Sequence, residues 1–96
     1  MAQEGATIAA AVTLPDRYRV VRHLARGGMA TVWEAEDKLL GRRVAVKVLA
    51  EHLAEDAAAR ERFQREARAA AKVSNHPNVV TIYDVGEADG RPFIVM

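Results

Sequence analysis

Lys47 is the residue whose setting most needs a chemical account. It closes the run Val-Ala-Val-Lys at 44–47, inside an alternating apolar segment. An ammonium group there costs free energy unless something anionic meets it. Upstream, Gly27 and Gly28 separate two β-prone runs. Glycines in such a place either permit the positive φ of a tight turn or let backbone N–H groups approach a phosphate with no Cβ in the way. Taken alone, the pair reads first as a hairpin turn, because turn glycines are so common.

Glu66 narrows the choice. Residues 56–72 are rich in Ala, Arg and Glu with no glycine or proline, a composition that favours helix. Within it Phe63, Glu66, Ala67 and Ala70 recur at i, i+3, i+4 and i+7, which predicts that Glu66 lies on the stripe facing the rest of the fold. Arg60, Arg62, Arg65 and Arg68 fall mostly off that stripe. A carboxylate on the inner side of a helix and an ammonium on a central strand are natural partners, since either alone is a poorly solvated charge. The pair would also aim Lys47 and leave its remaining donors for phosphate oxygens. Two plainer readings compete: Lys47 at an exposed edge can reach water along its own stem, and Glu66 can form an exposed i, i+4 pair with Arg62 worth only a few tenths of a kcal/mol.

The elements that must position these groups follow from periodicity and turn chemistry. Arg19–Leu24 and Thr31–Ala35 are short β-prone runs joined through the glycines, and Asp37–Gly41 reads as a second turn. Arg42–Leu49 is the clearest strand, because Val44, Val46 and Val48 alternate with Ala45, Lys47 and Leu49. The helix is expected over 56–72 and stops at Asn75-His76-Pro77-Asn78. Apolar runs at Val79–Val85 and Pro92–Met96 flank a turn at Gly86–Arg91, with Asp89-Gly90 in a hairpin position. Trp33 is expected to pack in the core. The order is three strands, one helix, two strands: an α+β arrangement, a five-stranded antiparallel sheet with one main helix on a face.

The chain has 96 residues, enough for a single small core, and 50% of them are hydrophobic against 28% charged, the balance of a globular protein. A formal charge of +1 gives no global field for holding nucleic acid or an anionic membrane. There is no cysteine, and the three histidines are scattered, so neither thiolate nor histidine metal sites are indicated. Residues 1–17 read as a flexible arm, and 18–96 as the folded unit. The sequence ends inside an apolar run, which suggests a domain cut short at Met96.

From Tyr18 to Met96 the sequence resembles the N-terminal lobe of a bacterial-type serine/threonine protein kinase. Four pieces carry the resemblance, in the family's order and spacing: Leu-Ala-Arg-Gly-Gly-Met-Ala-Thr-Val at 24–32, Val-Ala-Val-Lys at 44–47, Arg-Phe-Gln-Arg-Glu-Ala at 62–67 and His-Pro-Asn-Val-Val at 76–80. It implies catalytic roles for Lys47, contacting the α- and β-phosphates of ATP, and for Glu66, pairing with that lysine. It implies that Ala25, Arg26, Gly27, Gly28, Met29, Ala30 and Thr31 form the loop over the phosphates. Leu24, Val32 and Ala45 would sandwich adenine, with Met96 at the back of the pocket.

Ala25 and Ala30 stand where the family's pattern has its first and third glycines, so this loop is expected to be stiffer than its relatives. No His-Arg-Asp or Asp-Phe-Gly is present. The Mg2+ ligands, the catalytic aspartate and the protein-substrate contacts would therefore lie in an absent C-terminal lobe, leaving the fragment inactive alone. The resemblance further implies a cytoplasmic kinase domain, in a full-length protein open to membrane anchoring, and a lobe whose uncovered base favours self-association. The alternative is a pseudokinase or a stand-alone regulatory binding module.

Overall fold

The computed structural model describes residues 12–73, 77–78 and 80–96. Its centre is strand β3, Arg42–Leu49, where the predicted alternation is realised. Val44, Val46 and Val48 are buried on one side of the sheet, while Ala45 and Lys47 are half-buried on the other. Around it stand β1 (Tyr18–Arg26), β2 (Ala30–Asp37), β4 (Asp84–Ala88) and β5 (Arg91–Val95). All pairings are antiparallel, in the order β1-β2-β3-β5-β4.

Helix α1 spans Ala57–Lys72. It starts where Asp56 accepts hydrogen bonds from the amides of Ala58 (3.0 Å) and Ala59 (3.2 Å), satisfying donors that the first turn leaves unpaired. A short 3-10 turn, Glu51–Leu53, links β3 to the helix.

The two faces of the sheet carry separate apolar clusters. Ala30, Leu49 and Ile94 meet Phe63 and Ala67 of α1 on one face. Tyr18, Trp33, Val46, Val48, Phe93 and Val95 fill the other, together with Val12. Val12 is only 3% exposed, and Leu14 packs beside it. The expected free arm is therefore corrected within residues 12–17: these apolar side chains cover a sheet face that would otherwise be wet.

A second correction concerns β4. An apolar run at 79–85 predicted a strand there, yet the paired segment is Asp84–Ala88, with Asp84 opposite Val95 and Gly86 opposite Phe93. Gly86 belongs in the strand because a Cβ on it would stand 2.7 Å from the Phe93 ring. The turn shrinks to Asp89-Gly90, both with positive φ (52° and 73°), as a two-residue hairpin requires. Part of the expected helix-ending turn, residues 74–76, lies outside the described residues, as does Val79.

The far end of the sheet is fixed by Asp37, which is 1% exposed. It accepts two bonds of 2.9 Å from Arg17 and two from the amides of Leu39 and Leu40. The Arg17 guanidinium holds the carboxyl down at about 2, against the opposing effect of burial. Nearby, burial and a 2.9 Å bond to Asp84 push the Tyr18 phenol up to about 12.

Candidate functional site

Register places the candidate residues. Across the sheet Ala25 stands opposite Val32, Val32 opposite Lys47, and Lys47 opposite Ile94, so these four side chains share one face. In the adjoining row Ala45 exchanges backbone bonds with Met96, 2.9 Å and 2.8 Å. Lys47 thus rises from a shelf of Ala25, Val32, Ala45, Ile94 and Met96, while Glu34, opposite Ala45 in the adjoining row, carries a negative charge on the same face and is paired with Arg22 and Arg43.

Helix α1 covers the shelf only at its Leu49–Ile94 end. Val32, Ala45 and Met96 remain half-buried. A flat apolar ring can lie on that shelf, with anionic groups directed at the Lys47 ammonium. Leu24 borders this row at the register shift between His23 and Ala25 and is 42% exposed.

The glycine turn occupies residues 27–29. The Gly27 amide donates to the Ala30 carbonyl at 2.8 Å, and the Met29 carbonyl accepts from Ala50 at 2.8 Å, which ties the turn to the end of β3. Neither glycine has a left-handed φ. A Cβ on Gly28 would meet nothing within 4 Å, and one on Gly27 only the Ala30 carbonyl at 3.7 Å. The turn therefore does not require glycine for its own conformation or packing, unlike Gly41 (φ 65°) at the β2–β3 turn. At Gly28 the backbone faces open space.

Not every loop residue faces that side. Thr31 accepts a 2.9 Å bond from the Trp33 indole, and Arg26 stands opposite Thr31, so both side chains belong to the other face and only their backbones border the turn. Trp33 is 7% exposed and meets His23 edge-on, ring centres 4.8 Å apart.

The expected Lys47–Glu66 contact is not made in this structure. Ala59, Phe63 and Ala67 are the buried residues of α1. Glu66 is 67% exposed and lies 3.7 Å from Arg62, the plainer of the two readings of that residue. The expectation that Glu66 shares the inward stripe is thus corrected. On a helix at 100° per residue Glu66 stands about 60° from Phe63, a border position that tips outward here. Lys47 has no carboxylate within ion-pair distance among the described residues.

What sequence reasoning missed is Arg60, on the opposite border of the same stripe. Its guanidinium bonds the carbonyls of Ala54 and Gly90 and the carboxylate of Glu87, joining the start of α1 to the β4–β5 turn. A charge following three alanines and leading into Glu61 and Arg62 gave no signal of this contact.

Two hollows among the described residues lie away from Lys47. One of about 470 Å3 is lined by Val12, His52, Asp89 and Arg91 among others, and one of about 690 Å3 by His23, Arg26, Trp33 and Arg91 among others. On the Lys47 face the strand side chains form a floor, covered by α1 at the Leu49–Ile94 end. Among the described residues no cluster of His, Asp or Glu is placed to hold a metal ion, and no helix is long and apolar enough to cross a membrane.

Comparison with known proteins agrees with this geometry. The profile of the protein kinase domain family matches residues 18–96. A probable serine/threonine-protein kinase, pknA2, of Bifidobacterium longum is 52% identical over 83 residues, covering 83% of this chain and 11% of its own length. The serine/threonine-protein kinase PknA of Mycobacterium tuberculosis is 52% identical over 77 residues, covering 80% and 18%. Among solved structures, the PknI kinase domain of Mycobacterium tuberculosis superposes with a TM-score of 0.69 at 38% identity, covering 92% of this chain and 35% of that one. The chain thus spans less than a fifth of the length of these two curated relatives. With its five strands in the order described and α1 on the Lys47 face, the chain belongs to the protein kinase domain family and forms that domain's N-terminal lobe.

Proposed function

We propose that this chain is the ATP-binding lobe of a serine/threonine protein kinase, an enzyme that transfers the γ-phosphate of ATP to Ser and Thr side chains of proteins. The observation that carries the reading is Lys47: an ammonium flanked in its row by Val32 and Ile94, with no ion-pair partner among the described residues, on a sheet whose glycine turn does not itself need its glycines.

Adenine packs on Leu24, Val32, Ala45 and Met96. Lys47 meets the α- and β-phosphates, and the backbone from Ala25 to Thr31 lies over them. Glu66 turns in to pair with Lys47 in the working arrangement, which aims the ammonium and excludes alternative directions for it. Bound ATP with Mg2+ supplies the transferable phosphoryl group. The chain's own residues bind, orient and partly neutralise it. The Mg2+ ligands, the aspartate that accepts the substrate proton and the surface that reads the protein substrate belong to a C-terminal lobe. A cytoplasmic location fits the nucleotide, and self-association through the lobe fits the exposure of Val80, Tyr83 and Val85.

The test is phosphoryl transfer by the protein carrying both lobes. Lys47→Ala should lower the rate by about two to three orders of magnitude, the cost of losing one aimed electrostatic group. An unchanged rate, or a downstream sequence lacking the catalytic and Mg2+-binding aspartates, overturns the reading.

A further inference from the structure

Arg60 and Glu66 lie on opposite borders of the apolar stripe of α1, with Phe63 between them. At 100° per residue each is about 60° from Phe63, so the two are about 120° apart around the helix axis. In the structure the Arg60 border is anchored: its guanidinium bonds the Gly90 carbonyl and the Glu87 carboxylate at the β4–β5 turn, and the Ala54 carbonyl ahead of the helix at 3.0 Å. The Glu66 border is turned to solvent, beside Arg62.

Turning α1 far enough to bring Glu66 over the sheet carries Arg60 the same way, off the β4–β5 turn. A guanidinium swung by tens of degrees at the end of its stem moves by several ångströms, far beyond hydrogen-bond tolerance. The rotation also shifts Phe63, 4% exposed against Leu49 and Ile94, and brings Ala59 and Ala70, on the Glu66 side of it, towards the sheet; the lost aromatic packing is a cost that the Lys47–Glu66 pair and bound nucleotide must offset.

We propose that Arg60 is a positioning residue that holds α1 with Glu66 turned away from Lys47, so that the Arg60–Glu87–Gly90 contact and the Lys47–Glu66 pair are mutually exclusive. The inference rests on the reading of Lys47 and Glu66 as partners. Each arrangement satisfies one set of charges and leaves the other solvated. Losing the Arg60 contact therefore shifts the population toward the paired state, by the differential free energy of that contact and no more.

Zero-length carbodiimide coupling reads the paired state directly, because an amide between Lys47 and Glu66 forms only where the two side chains touch. In the full chain, Glu87→Gln and Arg60→Gln should each raise the yield of the Lys47–Glu66 amide, measured by peptide mass spectrometry, by about three- to tenfold, the response to removing a partly exposed charge contact. Arg60→Lys should restore a low yield. Thermal melts select variants that stay folded, and Glu87→Gln, on a half-exposed side chain, serves if Arg60→Gln does not. An unchanged or lower yield in the folded variants, or no amide in any of them, overturns the proposal. Mg-ATP titration of the same variants separates the two ideas: binding without a change in amide yield removes the Arg60 device alone, while a raised yield without binding removes the nucleotide reading alone.

Discussion

Gly28→Ala distinguishes a turn that needs its glycines from one that keeps them for a ligand. Gly28 has neither a left-handed φ nor a neighbour within 4 Å of an added Cβ, so alanine fits the existing backbone. The substitution then acts mainly on the unfolded chain, narrowing its freedom and stabilising the fold by about 0.4–1 kcal/mol. For a domain of this size that is a rise of about 2–8 °C in the melting temperature. Nucleotide binding moves the other way. A methyl group that keeps a phosphate from one backbone N–H removes a charge-assisted hydrogen bond of about 1.5–3 kcal/mol, which weakens affinity about 10- to 100-fold. The assay is a thermal melt of the chain alongside Mg-ATP calorimetry of the two-lobed protein. A lowered melting temperature with unchanged affinity refutes the reasoning, because the glycine would then belong to the turn.

Further expectations follow from other contacts. Gly86→Ala should behave oppositely to Gly28→Ala: its Cβ would meet the Phe93 ring at 2.7 Å, and overpacking against that buried ring should cost about 1–3 kcal/mol, visible as a lower melting temperature. Asp56→Ala removes the cap of α1 and should cost about 0.5–2 kcal/mol, checked by denaturant unfolding. Asp37, held at about 2 against an ordinary 3.8, contributes stability that is complete above 3.8 and fades as pH falls toward 2. Asp37→Asn should flatten that acid limb in pH-dependent melts. Tyr18, raised from 10.0 to about 12, should act in the alkaline range, its contribution complete below 10 and lost as pH rises toward 12, and Tyr18→Phe should remove that dependence.

The parts of the fold legible in the sequence were those with one dominant period. The valines of β3 permit one register against the sheet, so its ends were predicted to the residue. Asp89-Gly90 named its own turn. β4 was misplaced because hydrophobicity and pairing separate there: Val80, Tyr83 and Val85 are apolar yet exposed, while the ladder takes the more polar Asp84–Ala88. Alternation within β3 put Lys47 on one face with Ala45 and Leu49, whereas the cross-strand neighbours Val32 and Ile94 follow from a register that no single strand's pattern contains. The outward turn of Glu66 was not. Two residues equally far from Phe63 compete for the inward side, and a contact between Arg60 and a turn far along the chain decides between them.

The packing of Val12 and Leu14 against the sheet bears on where this lobe can be cut. The family match begins at Tyr18, and a truncation placed there would strip two aliphatic side chains from the face built on Trp33, Val46 and Phe93. The freshly wetted valines and aromatics would offer a sticky plane, and such a protein would aggregate for reasons unrelated to its nucleotide site. Expression boundaries drawn at or before Val12 keep that plane dry.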